Sequence, residues 1–110
     1  MSKFRAYKEV RLGGLYYHRE RKGVLLRTEE YGICSSLSEA MSTLDRESAR
    51  WVVDDVRNQN LSVWTVPTFA KDEINDKDPG QVCYREYAVV APHCEFYHHN
   101  YMIDEIFDEY

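Results

Sequence analysis

Apolar residues recur along this chain with two periods, and each period predicts an element. The helical one lies in Ser35–Asn58, SSLSEAMSTLDRESARWVVDDVRN. Ala49, Val52, Val53 and Val56 fall at i, i+3, i+4 and i+7, one stripe of a 3.6-residue helix. Arg50, Asp54, Asp55 and Arg57 lie mostly off that stripe. Asp45 suits the N-cap, with Ser42 as the rival one turn earlier, and Glu47 suits the positive end of the helix dipole. Asn58 or Asn60 ends it, since asparagine tolerates the left-handed end conformation. Leu37–Met41 reads as a separate short turn. A lone helix of this length is marginal in water, so the rest of the chain must supply an apolar surface for it.

The other period is two, the period of a half-buried strand. In FRAYKEVRL, residues 4–12, Phe4, Ala6, Lys8 and Val10 face one way and Arg5, Tyr7, Glu9 and Arg11 the other. Gly13-Gly14 is a turn or bulge. LYYHRERKGVLLRT predicts a hairpin, Leu15 to Arg19 against Val24 to Thr28, turning at Arg21-Lys22-Gly23. Glu29 to Ile33 reads as a connection. LSVWTVP and QVCYREYAVVAP predict two further strands, separated by an acidic loop with Asp72, Glu73, Asp76 and Asp78 before Pro79-Gly80. For the tail two paths stay open: a short amphipathic helix over Tyr101 to Tyr110, or an extended segment on the sheet. The expected fold is α+β, an antiparallel sheet of four or five strands with one main helix packed on one face. With 110 residues the chain fits a single domain.

Charge changes this picture more than composition does. The net charge is −5, yet residues 1–28 carry +6 and residues 29–110 carry −11. Such a split suggests a partner surface of one sign, or pairing of the two halves inside the fold. The three cysteines, Cys34, Cys83 and Cys94, are an odd, sparse set that fits a reducing compartment. MSKFRAYKEV has no apolar run of the signal-peptide kind, and no segment approaches the roughly 20 apolar residues of a membrane span. The reading is a soluble, cytoplasmic protein with no membrane partner.

Candidate chemistry is sparse. Cys83, His93, Cys94, His98 and His99 are zinc-type ligands, but there is no CxxC. His93-Cys94 and His98-His99 are adjacent pairs, and neighbours on a strand point to opposite faces. A small zinc-binding domain is therefore a distant alternative. The simpler reading has buried cysteines and surface histidines. Cys94 beside His93 lacks the geometry of a nucleophile–base pair, and Ser35 and Ser36 lack a nucleophile elbow. No phosphate loop, dinucleotide fingerprint or HExxH occurs. Asp54 and Asp55 diverge by about 100° on a helix, which makes a poor acid pair. No enzyme activity and no cofactor are expected.

Two binding surfaces remain. The basic hairpin, with Arg19, Arg21 and Lys22 beside Tyr16 and Tyr17, could follow a phosphate backbone and stack on bases, although an overall negative charge opposes that. The simpler reading is a solvated hairpin tip. The other surface is acidic: Asp72, Glu73, Asp76 and Asp78 with Asp104, Glu105, Asp108 and Glu109, and Tyr97 and Tyr101 as anchors. Such a surface can steer onto a basic partner and block it. The simpler reading is a solvated loop and a frayed tail.

From Gly23 to Pro67 the segments VLLRTEEYGI, SSLSEAM, LDRESARWVVDDV and LSVWTVP follow one another. This order resembles short phage-encoded accessory proteins, with a strand, an SLSEA segment, a helix and a VxVP strand. The similarity covers about 40% of the chain. It implies a phage or mobile-element accessory protein that binds and inhibits a host defence or nucleic-acid-processing protein. It transfers no catalytic residues. The leading expectation is thus a small non-enzymatic protein-binding module with a host protein as partner. Direct nucleic-acid binding through the hairpin is the alternative. Exposed strand edges and nine tyrosines leave room for a homodimer.

Overall fold

The alternating segments pair into one antiparallel sheet. The structure is a computed structural model that describes residues 2–13, 23–59, 61–66, 81–90 and 96–107. Its elements are β1 (Ser2–Leu12), β2 (Val24–Cys34), α1 (Leu37–Trp51), β3 (Ser62–Val66), β4 (Gln81–Val90) and β5 (Phe96–Phe107). The sheet order is β2-β1-β5-β4-β3, and every neighbouring pair is antiparallel. The helix packs across β1, β2 and β5. This is the expected α+β arrangement, with five strands.

Three local expectations change. The first concerns β2. It pairs directly with β1, from Leu12 opposite Val24 to Phe4 opposite Cys34, so Glu29–Ile33 is strand and not connection. Cross-strand charge explains why: Arg5 forks onto both oxygens of Glu30 at 2.6 Å, a bidentate pair that fixes register. Two bulges, at Leu26 and Tyr31, interrupt β2. Gly32 follows the second with φ of 124°, a region that favours glycine. The expected first hairpin strand, Leu15 to Arg19, lies outside the described residues.

The second concerns the helix. It starts two turns before Asp45. Ser36 is the N-cap, accepting from the Glu39 amide at 3.1 Å, while the Glu39 carboxylate accepts from the Ser35 amide and hydroxyl. That reciprocal cap fuses Leu37–Met41 into the main helix. Its buried residues are Ala40, Met41, Thr43, Leu44, Ser48 and Trp51. Ala49 and Val53 are exposed and Val52 and Val56 half-buried, so the valine stripe is not the docking face. Leucine, methionine and tryptophan bury more surface than valine, and they decide the rotation. A π-helical turn at Val52–Val56 then turns the helix end out of phase.

The third concerns the tail. Phe96–Phe107 is extended and lies in the middle of the sheet, between β1 and β4. Twelve residues of alternating side chains satisfy their backbone on both edges, which a short terminal helix could not do.

Two face-specific clusters result. Ala6, Cys34, Ala40, Met41, Leu44, Val82, Tyr101 and Ile103 form the core under the helix. Tyr7, Cys83 and Met102 form a smaller one on the opposite face. Beside the latter lies a buried polar group, Glu9, Glu86, His98 and Asn100. Arg11 Nε is 3.5 Å from Glu9, and His98 Nδ1 is 3.1 Å from Glu86.

Gly23, with φ of 80°, opens β2 against Gly13. A Cβ there would collide with the backbone of Leu12 and Gly13. Gly23→Ala is expected to cost about 1–3 kcal/mol. Urea denaturation measures this, and an unchanged midpoint would contradict the close approach.

Candidate functional site

Register places charged residues where α1 leaves the sheet. Lys8 and Val10 share the helix-facing side of β1 with Ala6. Lys8 stands opposite Glu29 of β2 and Tyr101 of β5, and Val10 opposite Arg27 and His99. The helix end supplies the other wall with Glu47, Arg50, Trp51, Asp54 and Asp55. Together they enclose a cleft of about 750 Å³ whose lining also includes Leu26, Tyr31, Leu61, Val89 and Tyr97. That is within the size range of small-molecule sites.

Trp51 organises the cleft. Its ring stacks on His99, centroids 4.5 Å apart at 25°, and tilts against Tyr87 at 5.4 Å. Lys8 Nζ lies 4.3 Å from the Trp51 centroid and 5.1 Å from that of Tyr101. The Lys8 side chain is 2% exposed, and its nearest carboxylate oxygen, on Glu29, is 3.9 Å away. Burial drives its pKa down to about 8, Glu29 works against this, and Arg27 adds to it. Burial also holds His99 far below its ordinary value, reinforced by Lys8 and Arg27. Burial pushes the Tyr31 and Tyr101 phenols up. At neutral pH the cleft therefore holds the neutral His99 imidazole, the neutral Tyr31 phenol and the Lys8 ammonium. Among the described residues His99 Nδ1 and the Tyr101 hydroxyl have no hydrogen-bond partner.

The residues singled out from the sequence are scattered. Tyr97 lines the cleft. Tyr101 is fully buried in the core and is not a surface anchor, because β5 runs through the middle of the sheet. Asp104 accepts from Tyr7 at 2.9 Å and from Arg5 at 3.1 Å, so its charge is matched within the sheet. Glu105 is half-buried. Asp72, Glu73, Asp76, Asp78, Asp108 and Glu109 lie outside the described residues, as do Tyr16, Tyr17, Arg19, Arg21 and Lys22. His98 and His99 are buried rather than at the surface, on opposite faces of β5. The Cys83 thiol donates to the Arg85 carbonyl at 3.4 Å. No cluster among the described residues could hold a metal ion.

The sequence reading passed over Lys8 and Trp51. Lys8 carried a signal: it is the one charged residue on the Phe4, Ala6, Val10 face. Trp51 carried none, because a helix phased on the valines places it away from the sheet. No helix among the described residues is long and apolar enough to cross a membrane. Comparison of the sequence with protein-family models, curated proteins and solved structures gives no match.

Proposed function

We infer that the protein is a non-enzymatic protein-binding module, and that a partner docks by adding a strand to the outer edge of β2. One observation carries this reading: β2 is an eleven-residue edge strand, exposed at every residue from Val24 to Glu30. It also leaves four large apolar side chains in water, Val24, Leu25, Leu26 and Ile33. An edge strand presents a row of backbone donors and acceptors, and its side chains give the added strand specificity. The bulges at Leu26 and Tyr31 leave only Arg27–Glu30 as regular edge. That suits a short partner segment and opposes indiscriminate edge-to-edge pairing.

Arg27, Glu29 and Glu30 give this short edge a charge pattern to match. The acidic residues Asp72, Glu73, Asp76, Asp78, Asp108 and Glu109 supply long-range attraction for a basic partner. The resemblance to phage accessory proteins supports a host protein as that partner, with inhibition as the outcome.

The test is affinity capture from host lysate after nuclease treatment, comparing the wild type with Leu25→Lys/Ile33→Lys. Both side chains are exposed, so the variant is expected to keep its melting profile and lose at least tenfold of the captured protein. Capture that survives the edge variant removes β2 from the interface. Capture that disappears with nuclease supports nucleic-acid binding through Arg19, Arg21 and Lys22 instead.

A further inference from the structure

We propose that the free protein pairs β2 with β2 of a second copy, in antiparallel register about a two-fold axis through Thr28. This rests on the reading of β2 as a docking edge, and it adds what covers that edge when no other partner is present. The strand is exposed from Val24 to Glu30 and apolar at Val24, Leu25 and Leu26. Its bulges at Leu26 and Tyr31 confine regular pairing to Arg27–Glu30. Within that short run the charges make the strand complementary to itself.

Symmetry leaves few registers. Two copies of one strand pair antiparallel when the axis stands normal to the sheet. Residues opposite each other then share a face, so the axis passes through a residue and not between two. An axis through Arg27 sets that guanidinium against its own copy. Axes through Glu29 or Glu30 set carboxylate against carboxylate. Like charges directly opposite are destabilising. An axis through Thr28 instead places Arg27 opposite Glu29 of the second copy, and symmetry forms the same ion pair again on the other side. Arg27 and Glu29 stand opposite Val10 and Lys8 of β1, so both side chains lie on the helix-facing side of the sheet and meet there. Both reach solvent: Arg27 is exposed and makes no ion pair among the described residues, and the Glu29 side chain is 44% exposed. At the axis Thr28 meets Thr28, a β-branched pair suited to strands. Beyond the ion pairs Leu25 of one copy comes beside Tyr31 of the other, which removes exposed apolar surface from water. The contact uses β2 of both copies, so it closes at a dimer.

Sedimentation equilibrium of the purified protein tests this. The expected result is one reversible step from 13.1 kDa to twice that mass as concentration rises into the submillimolar range. Arg27→Glu gathers carboxylates at the axis and is expected to weaken the dimer at least tenfold with the melting profile unchanged. The reversed pair Arg27→Glu/Glu29→Arg restores both ion pairs in the Thr28 register alone and is expected to recover the wild-type association. Because Glu29 also lies 3.9 Å from Lys8, a second readout leaves it in place. Thr28→Cys is expected to cross-link to its own copy under mild oxidation, with the bond located by peptide mass spectrometry. Leu25→Cys is not, since only position 28 sits on the axis within disulfide reach. A mass of 13.1 kDa at every concentration, a dimer indifferent to Arg27→Glu, or a cross-link through Leu25→Cys would overturn the proposal. A monomer that captures a host protein through β2 overturns self-pairing and leaves the docking edge standing. A dimer whose Leu25→Lys/Ile33→Lys variant still captures that protein removes the host interface from β2 and leaves self-pairing standing.

Discussion

Leu44→Ala is expected to lower the unfolding free energy by about 2–5 kcal/mol, whereas Val53→Ala changes it by no more than about 0.5 kcal/mol. Leu44 is fully buried in the cluster that joins α1 to β1, β4 and β5. Truncating it removes transfer energy and leaves a cavity in the cluster that it shares with Ala6, Tyr101 and Ile103. Val53 is 52% exposed, and alanine favours a helix slightly more than valine does. For a domain with a total stability of about 5–15 kcal/mol, the first change removes a large share of it. Urea denaturation of the two variants measures the difference directly. A Val53→Ala cost equal to that of Leu44→Ala would mean that the valine stripe faces the sheet after all.

Acid is expected to destabilise the fold well above the range in which carboxylates titrate. His98 and His99 are 0% and 8% exposed, and burial lowers both folded-state pKa values. The unfolded chain takes up their protons at about pH 6.5. Below that pH the unfolded state binds more protons than the folded one, so stability falls as pH falls. Each histidine contributes up to about 1.4 kcal/mol per pH unit. The window from pH 6.5 to 4.5 lies above the range of the Arg5-paired Glu30, whose pKa is lowered by that bond and whose contribution is lost only below its unfolded value of about 4.3. Urea midpoints across this window measure the slope. His99→Phe, which keeps a ring against Trp51, is expected to remove about half of it. A flat profile between pH 7 and 5 would show that both imidazoles reach water. Lys8 has the same sign on the alkaline side: its folded value of about 8 lies below the unfolded one, so its share of stability grows from pH 8 towards 10.

Much of the fold was legible along the chain. Alternation marked β1, and runs rich in β-branched and aromatic residues marked β3 and β4, whereas Lys8 was passed over although it is the one charged residue on its face of β1. What misled was the valine run at 52–56. Its spacing is a good helical stripe, but the π-helical turn and the bulk of Met41, Leu44 and Trp51 set the rotation elsewhere. The tail was ambiguous for a related reason. YMIDEIF satisfies both periods over a short run, and only the two neighbours that β5 gains in the sheet favour the extended form.

The sequence by itself determined the class of object: one helix, several strands, and a shared face for Phe4, Ala6, Lys8 and Val10. Those features follow from local periodicity, which each segment carries on its own. Tertiary structure alone decided that β5 is central, that Tyr101 and both adjacent histidines are buried, and that β2 is an outer strand of the sheet among the described residues. It also set Lys8, Glu29, His99 and Trp51 around one cleft. Strand order and register bring together residues more than ninety positions apart, such as Lys8 and His99. No local pattern encodes that distance, because it depends on which edges pair and which face the helix covers.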